Sequence, residues 1–158
     1  GKYTGRKLKL VPSRIESFAS FKKRHPTGKV LVPPGFTFRQ YGNNPYVQYD
    51  SSDWPFLFRG KYDDAIPPLA RVVAIGDDAW PLSLLEKKKR IEYEGLMLAW
   101  FGGQNSALDT SKIREGRDIG NVTVTQGGKD VVYHVPFAFA FKAFNPKGII
   151  HTEVGDGE

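Results

Sequence analysis

Residues 121–135 read NVTVTQGGKDVVYHV, and this stretch decides the class of fold. Valine and threonine alternate over residues 121–125, and a second β-branched run covers residues 131–135. Residues 126–129 between them are Gln-Gly-Gly-Lys, a turn whose glycines accept backbone angles that other residues avoid. The pattern predicts a β-hairpin and explains the two glycines as turn residues rather than as a phosphate-binding loop.

Two similar strand pairs precede this hairpin. Residues 71–75 are largely apolar, and a Gly-Asp-Asp turn joins them to residues 79–82, which predicts one hairpin. Residues 91–93 and 96–101 flank a Glu-Gly turn and predict another. Residues 82–89 lie between these pairs and predict a short helix whose basic end suits the helix dipole.

A capping box predicts an earlier helix. Ser13 and Glu16 have the three-residue spacing of this motif. In a capping box, the serine hydroxyl accepts a hydrogen bond from the glutamate backbone N–H, and the glutamate carboxylate reaches back to the backbone N–H of the serine. Apolar residues follow at helical spacing, and basic residues crowd the last turn before Pro26. We expect the helix to begin at Ser13 and to end at this proline.

Four other runs predict strands, and one of them has an alternative. Residues 7–11, 29–33 and 56–59 are short runs of strand-forming residues near prolines or glycines. Residues 137–144 read FAFAFKAF, an alternation of large and small apolar residues that favours a strand, although the alanines allow a short helix. Residues 34–54 form a long, aromatic-rich loop.

These elements predict an α+β fold, with a mostly antiparallel, partly barrel-like sheet of short strands and two short helices. The chain has 158 residues, including 17 Gly and 11 Pro, so many chain reversals are expected around one core. We predict a single globular domain over residues 1–152 and a frayed C-terminal tail over residues 153–158.

Composition excludes some classes of protein. The chain has no cysteine, so disulfides and thiolate metal sites are excluded. No run approaches the roughly 18 apolar residues of a membrane span. The net charge of +6 fits an anionic surface as a partner, or simply a solvated basic face, and no signature of a nucleic-acid-binding module is present.

Catalytic candidates are few. The histidines at positions 25, 134 and 151 are far apart, so no metal site is expected, and no G-x-S-x-G motif or cofactor signature is present. Asp50 and Asp53 are the candidates for an acid/base carboxylate, because they lie beside the aromatic loop that could line a groove. Aspartates in such turn-rich segments also stabilise turns, which is the competing interpretation.

Binding candidates combine aromatic rings with arginines. Such side chains dominate interface hot spots, and they can also be core rings flanked by solvated arginines. The candidates are Arg39, Tyr41, Tyr46, Tyr49, Trp54 and Arg59.

The order of several sequence blocks resembles the bacterial domain-of-unknown-function family 3179. The blocks are LVPS (10–13), RHPTGKVL (24–31), Tyr41 with NPY (44–46) and Tyr49, ARVVAI (70–75) with AWPL (79–82), EGRDIGN (115–121) and FAFKAFNP (139–146). The family carries no assigned activity, so the resemblance implies no catalytic residues. It implies an exported, periplasmic protein, of which this chain would be the trailing portion without an upstream part that contains cysteines. Asn145 stands where the family often has histidine.

Three functional hypotheses follow. The first is an exported, non-catalytic binding or interaction module that holds another protein or an anionic surface through a basic, aromatic-rich face. The second is a carboxylate-dependent hydrolase acting on an anionic or saccharide substrate, with Asp50 or Asp53 as its carboxylate. The third is a subunit of a larger assembly.

Overall fold

Regular structure lies mainly in the second half of the chain. The computed structural model describes residues 1–36 and 38–153. The helices are α1 (Phe18–Arg24), α2 (Leu82–Lys88) and α3 (Ala138–Phe144), with short 3-10 helices at Tyr49–Ser51 and Ile113–Glu115. The strands are β1 (Val72–Ile75), β2 (Asp78–Pro81), β3 (Arg90–Tyr93), β4 (Leu96–Phe101), β5 (Asn121–Gln126), β6 (Lys129–Asp130) and β7 (Ile149–Ile150).

The strands form two sheets. In the first, β1 and β2 are an antiparallel hairpin, and β7 adds to β2 in parallel. The second has the order β3-β4-β5-β6 and is antiparallel throughout. This confirms an α+β fold with mostly antiparallel strands, and the sheets of the described residues remain open rather than closing into a barrel.

The core follows from the two-residue period of β1. Val73 packs with Trp80, Leu85 and Leu98 in a cluster shared by both sheets and α2. The neighbouring residues of the strand point to the opposite face. There Val72 and Ala74 pack in a second cluster against α3. The hairpin β1–β2 is therefore covered on both faces.

The first helix begins later than the capping box predicts. The cap of α1 is Ser17, whose side chain accepts a hydrogen bond from the Ser20 backbone N–H. The Glu16 carboxylate instead binds the Arg24 guanidinium. The Ser17 backbone N–H donates to Asn121 Oδ1 at 2.7 Å. The capping-box prediction was wrong because Glu16 pairs with Arg24 and Ser17 takes the place of Ser13 as the cap.

Three predicted strands do not form. No strand forms in residues 7–11, 29–33 or 56–59. Within the described part of the chain, no neighbouring strand pairs with these segments. A strand gains its hydrogen bonds from a partner, so a suitable sequence alone does not make one. These predictions were wrong.

Residues 137–144 form a helix rather than the favoured strand. Ala138 and Phe141, three positions apart, lie buried on one face of α3. This spacing matches the helical period, and the helical alternative therefore describes the segment. As a result, the described part of the chain has three α-helices rather than the predicted two.

The hairpin at residues 121–135 is confirmed only in its first part. Gly127 and Gly128 form the turn with positive φ, and β6 pairs with β5 over two residues. The chain then crosses to the other sheet, where His134 pairs with Ala74 in an isolated bridge. The predicted second strand is thus divided between two sheets.

Two further observations concern membrane-spanning helices and the predicted C-terminal tail. In residues 1–36 and 38–153, no helix has the length and apolar character needed to cross a bilayer. Of the predicted tail at residues 153–158, only residue 153 lies within the described part of the chain.

Candidate functional site

Asp50 is buried beneath the surface at the short 3-10 helix Tyr49–Ser51. The preceding residue, Gln48, has a φ of 58°, so the chain turns sharply there. Its backbone N–H donates to the Asp109 carbonyl at 2.6 Å. Contacts between distant segments therefore bring Asp50 into the interior.

Two arginines and a serine surround the Asp50 carboxylate. Arg117 Nη1 lies 3.2 Å from Oδ1, and Arg71 Nη2 lies 3.6 Å from Oδ2. The Ser106 hydroxyl donates to Oδ2 at 2.5 Å. Arg117 Nη2 also donates to the Asp50 carbonyl at 3.3 Å. One carboxylate thus fixes two guanidinium groups.

Arg71 is the more enclosed of the two arginines. Its guanidinium lies over the Phe137 ring, 4.9 Å from the centroid. Burial lowers the pKa of Arg71, the charge of Asp50 opposes this effect, and Arg117 adds to it. The Arg117 side chain is 45% exposed and therefore remains accessible to a ligand.

A cleft of about 500 Å³ opens beside this ion-pair cluster. Asp50, Arg71 and Arg117 line one part of it. Apolar side chains line another part: Pro67, Leu69, Leu82 and Ile119. The exposed residues Asp53 and Glu86 also line the cleft. The cleft combines a fixed cationic group, an apolar wall and exposed carboxylates.

Asp118, another residue of the cleft, is engaged by the backbone. Its carboxylate accepts hydrogen bonds from the N–H groups of Gly103, Gln104 and Gly120 at 2.7, 3.0 and 2.8 Å. These bonds lower the pKa of Asp118. Its role in the described structure is to hold two loop segments together.

The arrangement has the chemistry of anion binding. Guanidinium groups fixed by a carboxylate recognise a carboxylate or phosphate without first having to be ordered. Asp50 itself has a side chain with no exposed surface. Among residues 1–36 and 38–153, no cluster of three His, Asp or Glu side chains could hold a metal ion.

Comparison with protein-family models gives a match over most of the chain. The model described as "Protein of unknown function (DUF3179)" matches residues 1–148. The chain belongs to the DUF3179 family. No curated protein and no solved structure gives a significant match.

The other predicted site residues of this DUF3179 chain lie in its first 61 residues, which we name the N-terminal arm. Arg39, Tyr41, Tyr46, Trp54 and Arg59 are exposed, and Tyr49 is half-buried. Several other apolar side chains of the arm are almost fully exposed, led by Leu8 at 96% and Leu31 at 99%. The arm therefore presents many apolar groups to solvent.

Ring contacts bring some of the predicted binding residues together. Tyr46 and Tyr49 lie 6.4 Å apart, and Tyr49 packs edge-on against Phe137 at 5.7 Å. Trp54 contacts Phe58 at 5.8 Å. Aromatic contacts thus join the second half of the arm to the rest of the described chain, which we name the body. Phe137 also connects the arm to Arg71, whose guanidinium lies over the Phe137 ring.

Sequence reasoning singled out Asp50 but missed its partners Arg71, Ser106 and Arg117. Arg71 and Arg117 stand in the blocks at residues 70–75 and 115–121 that carry the family resemblance. No local pattern, however, paired either arginine with Asp50.

Proposed function

We propose that this DUF3179 chain is a binding module whose N-terminal arm docks onto an acidic partner protein. The observation that carries the proposal is the exposure of large apolar side chains along the arm: Leu8 96%, Leu31 99% and Phe38 92%. Exposed apolar residues also follow one another along the chain, at residues 10–11 and 30–32, and contiguous apolar surface usually marks a place where another molecule binds. The proposal matches the residue types predicted for an interface.

The charge of the arm supports an acidic partner. Residues 1–61 contain 12 Lys and Arg against 3 Asp and Glu, a net charge of +9. Residues 62–158 contain 11 Lys and Arg against 14 Asp and Glu, a net charge of −3. The cationic character of the chain is therefore concentrated in the arm. Complementary charge accelerates encounter and selects the partner.

The backbone of the arm favours a protein over a lipid surface. Between described residues, the backbones of 7–16 and 29–34 make no backbone–backbone hydrogen bond. Burying unpaired amides in hydrocarbon costs several kcal/mol per group. A protein can pair them instead, for example by adding these segments to the edge of one of its sheets. The arm therefore suits a partner with polar groups of its own.

The hydrolase alternative is less well supported by the geometry. A general acid or base must reach the reacting proton directly or through one water. The Asp50 side chain has no exposed surface and is engaged by two arginines and a serine. Asp53 lines the cleft but has no comparable setting. We therefore favour binding, and we keep export to the periplasm as a proposal that cell fractionation checks.

The experiment is a pull-down from native extract followed by binding measurements with the purified partner. The test variant is Leu8→Asp/Leu31→Asp, and the matched control is Phe144→Asp, an exposed apolar residue on α3. We expect an acidic partner whose affinity falls at least about tenfold in the test variant and stays unchanged in the control. Affinity should weaken but persist at high salt.

Other outcomes would overturn the proposal. Equal loss in both variants would place the interface outside the arm. Light scattering that shows a dimer disrupted by Leu8→Asp/Leu31→Asp would assign the arm to self-association. Binding to vesicles of anionic phospholipid in preference to any protein would assign it to a membrane surface.

A further inference from the structure

We infer that the cleft beside Asp50 binds an α-amino acid with an apolar side chain, gripping its carboxylate with Arg71 and Arg117. The cleft includes Asp50 and Asp53 of the N-terminal arm, but not the exposed apolar side chains, such as Leu8 and Leu31, that carry the docking proposal. The inference rests on the distribution of charge and apolar surface within the cleft.

The floor of the cleft can accept one anionic group. Arg71 and Arg117 both contact the Asp50 carboxylate, at 3.6 and 3.2 Å, and Arg117 Nη1 also lies 3.8 Å from Asp109 Oδ1, so these four charges balance. Binding of a ligand carboxylate therefore depends on the N–H donors of the arginines rather than on a net positive charge. Asp50 occupies only part of the donor capacity of two guanidinium groups, each of which carries five N–H donors. The exposed part of Arg117 can donate to a ligand carboxylate while Asp50 keeps the group oriented.

The remaining carboxylates disfavour a ligand with several negative charges. Asp118 also lines the cleft, and three backbone N–H groups lower its pKa and so favour its negative charge. Asp53 and Glu86 are exposed, line the cleft and make no ion pair with a described residue. They repel a phosphate or nucleotide but attract an ammonium group.

The walls add a preference for an apolar substituent. Leu69, Leu82 and Ile119 line the cleft together with Pro67. The cleft volume of about 500 Å³ is ample for an amino acid and lies within the range of small-molecule sites. An α-amino acid with an apolar side chain has one group for each part of the cleft. Its carboxylate fits the arginines, its ammonium group fits the exposed carboxylates, and its side chain fits the apolar wall.

Calorimetry with four probes tests the inference. L-leucine carries all three features, 4-methylpentanoate lacks the ammonium group, 3-methylbutylamine lacks the carboxylate, and inorganic phosphate lacks the apolar group. We expect saturable binding of L-leucine and at least about tenfold weaker binding of the other three. Equal affinity for 4-methylpentanoate, tighter binding of phosphate, or no saturable binding of L-leucine would each overturn the inference.

Matched variants locate the site. Arg117→Gln should weaken L-leucine binding at least about tenfold, whereas Arg114→Gln, at a side chain 78% exposed and outside the cleft, should leave it unchanged. Equal effects of the two variants would overturn the assignment.

A second pair tests the ammonium group without disturbing the buried ion pairs. Asp53→Asn/Glu86→Gln should narrow the difference in affinity between L-leucine and 4-methylpentanoate, because the selecting carboxylates are gone. Glu92→Gln, an exposed residue of β3, is the control and should preserve the difference. An unchanged difference in the double variant would contradict the inference even if Arg117→Gln failed to fold.

Discussion

Oδ1 of Asp50 lies 3.2 Å from Nη1 of Arg117, although 67 residues separate the two in the chain. Asp50 belongs to the N-terminal arm, and Arg117 belongs to the loop that leads into β5. The ion pair therefore fastens the arm to the body. Its strength determines how firmly the floor of the cleft is held, and this gives a first prediction.

Replacing Asp50 with asparagine should destabilise the fold. The substitution leaves only Asp109, 3.8 Å from Arg117 Nη1, to offset the charges of Arg71 and Arg117, and loss of one partner of a buried ion pair costs about 3 kcal/mol or more. Urea unfolding should show the loss. Asp53→Asn is the control and should change the free energy of unfolding by less than about 0.5 kcal/mol. Equal stability of the two variants would mean that the ion pairs are not structural.

Glycine 120 should not tolerate a side chain. Its φ is +76°, and an added Cβ would lie 2.0 Å from Trp100 Nε1, displacing an indole that donates to the Ile119 carbonyl. Gly120→Ala should therefore cost at least about 3 kcal/mol, since backbone strain and overpacking add.

Gly127→Ala is the control for that substitution. Gly127 has a φ of +54° but open space around the added Cβ, so it should cost only about 1 kcal/mol of backbone strain. Thermal denaturation compares the two variants. A smaller loss at Gly120 than at Gly127 would contradict the packing argument.

Asp118 should make part of the free energy of unfolding depend on pH. Backbone hydrogen bonds from Gly103, Gly120 and Gln104 depress its pKa in the folded state. A depressed pKa gives stability that is present above the unfolded pKa, about 3.9 for aspartate, and is lost as pH falls through the lower folded value.

The measurement is the unfolding free energy from pH 7 down to pH 2. In Asp118→Asn this acid-dependent loss should be smaller than in the parent chain, because the amide does not titrate. A curve that parallels the parent over the whole range would show that other carboxylates account for the acid sensitivity.

His151 should protect Trp80. The two rings stack with centroids 4.9 Å apart, and His151 Nε2 lies 2.7 Å from Asp78 Oδ1. His151→Ala should cost about 1–2 kcal/mol by removing the ring contact and the hydrogen bond. It should also shift the tryptophan fluorescence to longer wavelength as water reaches Trp80. Unchanged fluorescence would mean that other groups cover the indole.

The sequence predicted the parts of the fold that depend on local turns. The hairpins β1–β2 and β3–β4 and the helix α2 lie where periodicity and turn residues placed them. The strand prediction for residues 137–144 was wrong because the same alternation of phenylalanine and alanine is compatible with a helix. In that helix, Ala138 and Phe141 pack together in a buried cluster with Val72 and Ala74 of β1. That choice depends on packing against a distant strand.

The site was predictable only in part, for a related reason. Asp50 could be singled out as a carboxylate beside an aromatic loop. Its charge partners are distant in sequence, and ion pairs across such separations leave no periodic pattern to read. The predicted binding residues of the arm stay a prediction until the variants are measured.

The segment that crosses between the sheets also bears on how the molecule unfolds. Val131 donates its N–H to the Val124 carbonyl in the second sheet, and three residues later His134 exchanges two hydrogen bonds with Ala74 in the first. Between them the Tyr133 hydroxyl donates to the Val122 carbonyl at 2.7 Å. Opening either sheet breaks the hydrogen bonds that join this short stretch to the other sheet. We therefore expect both sheets to unfold together in a single cooperative transition.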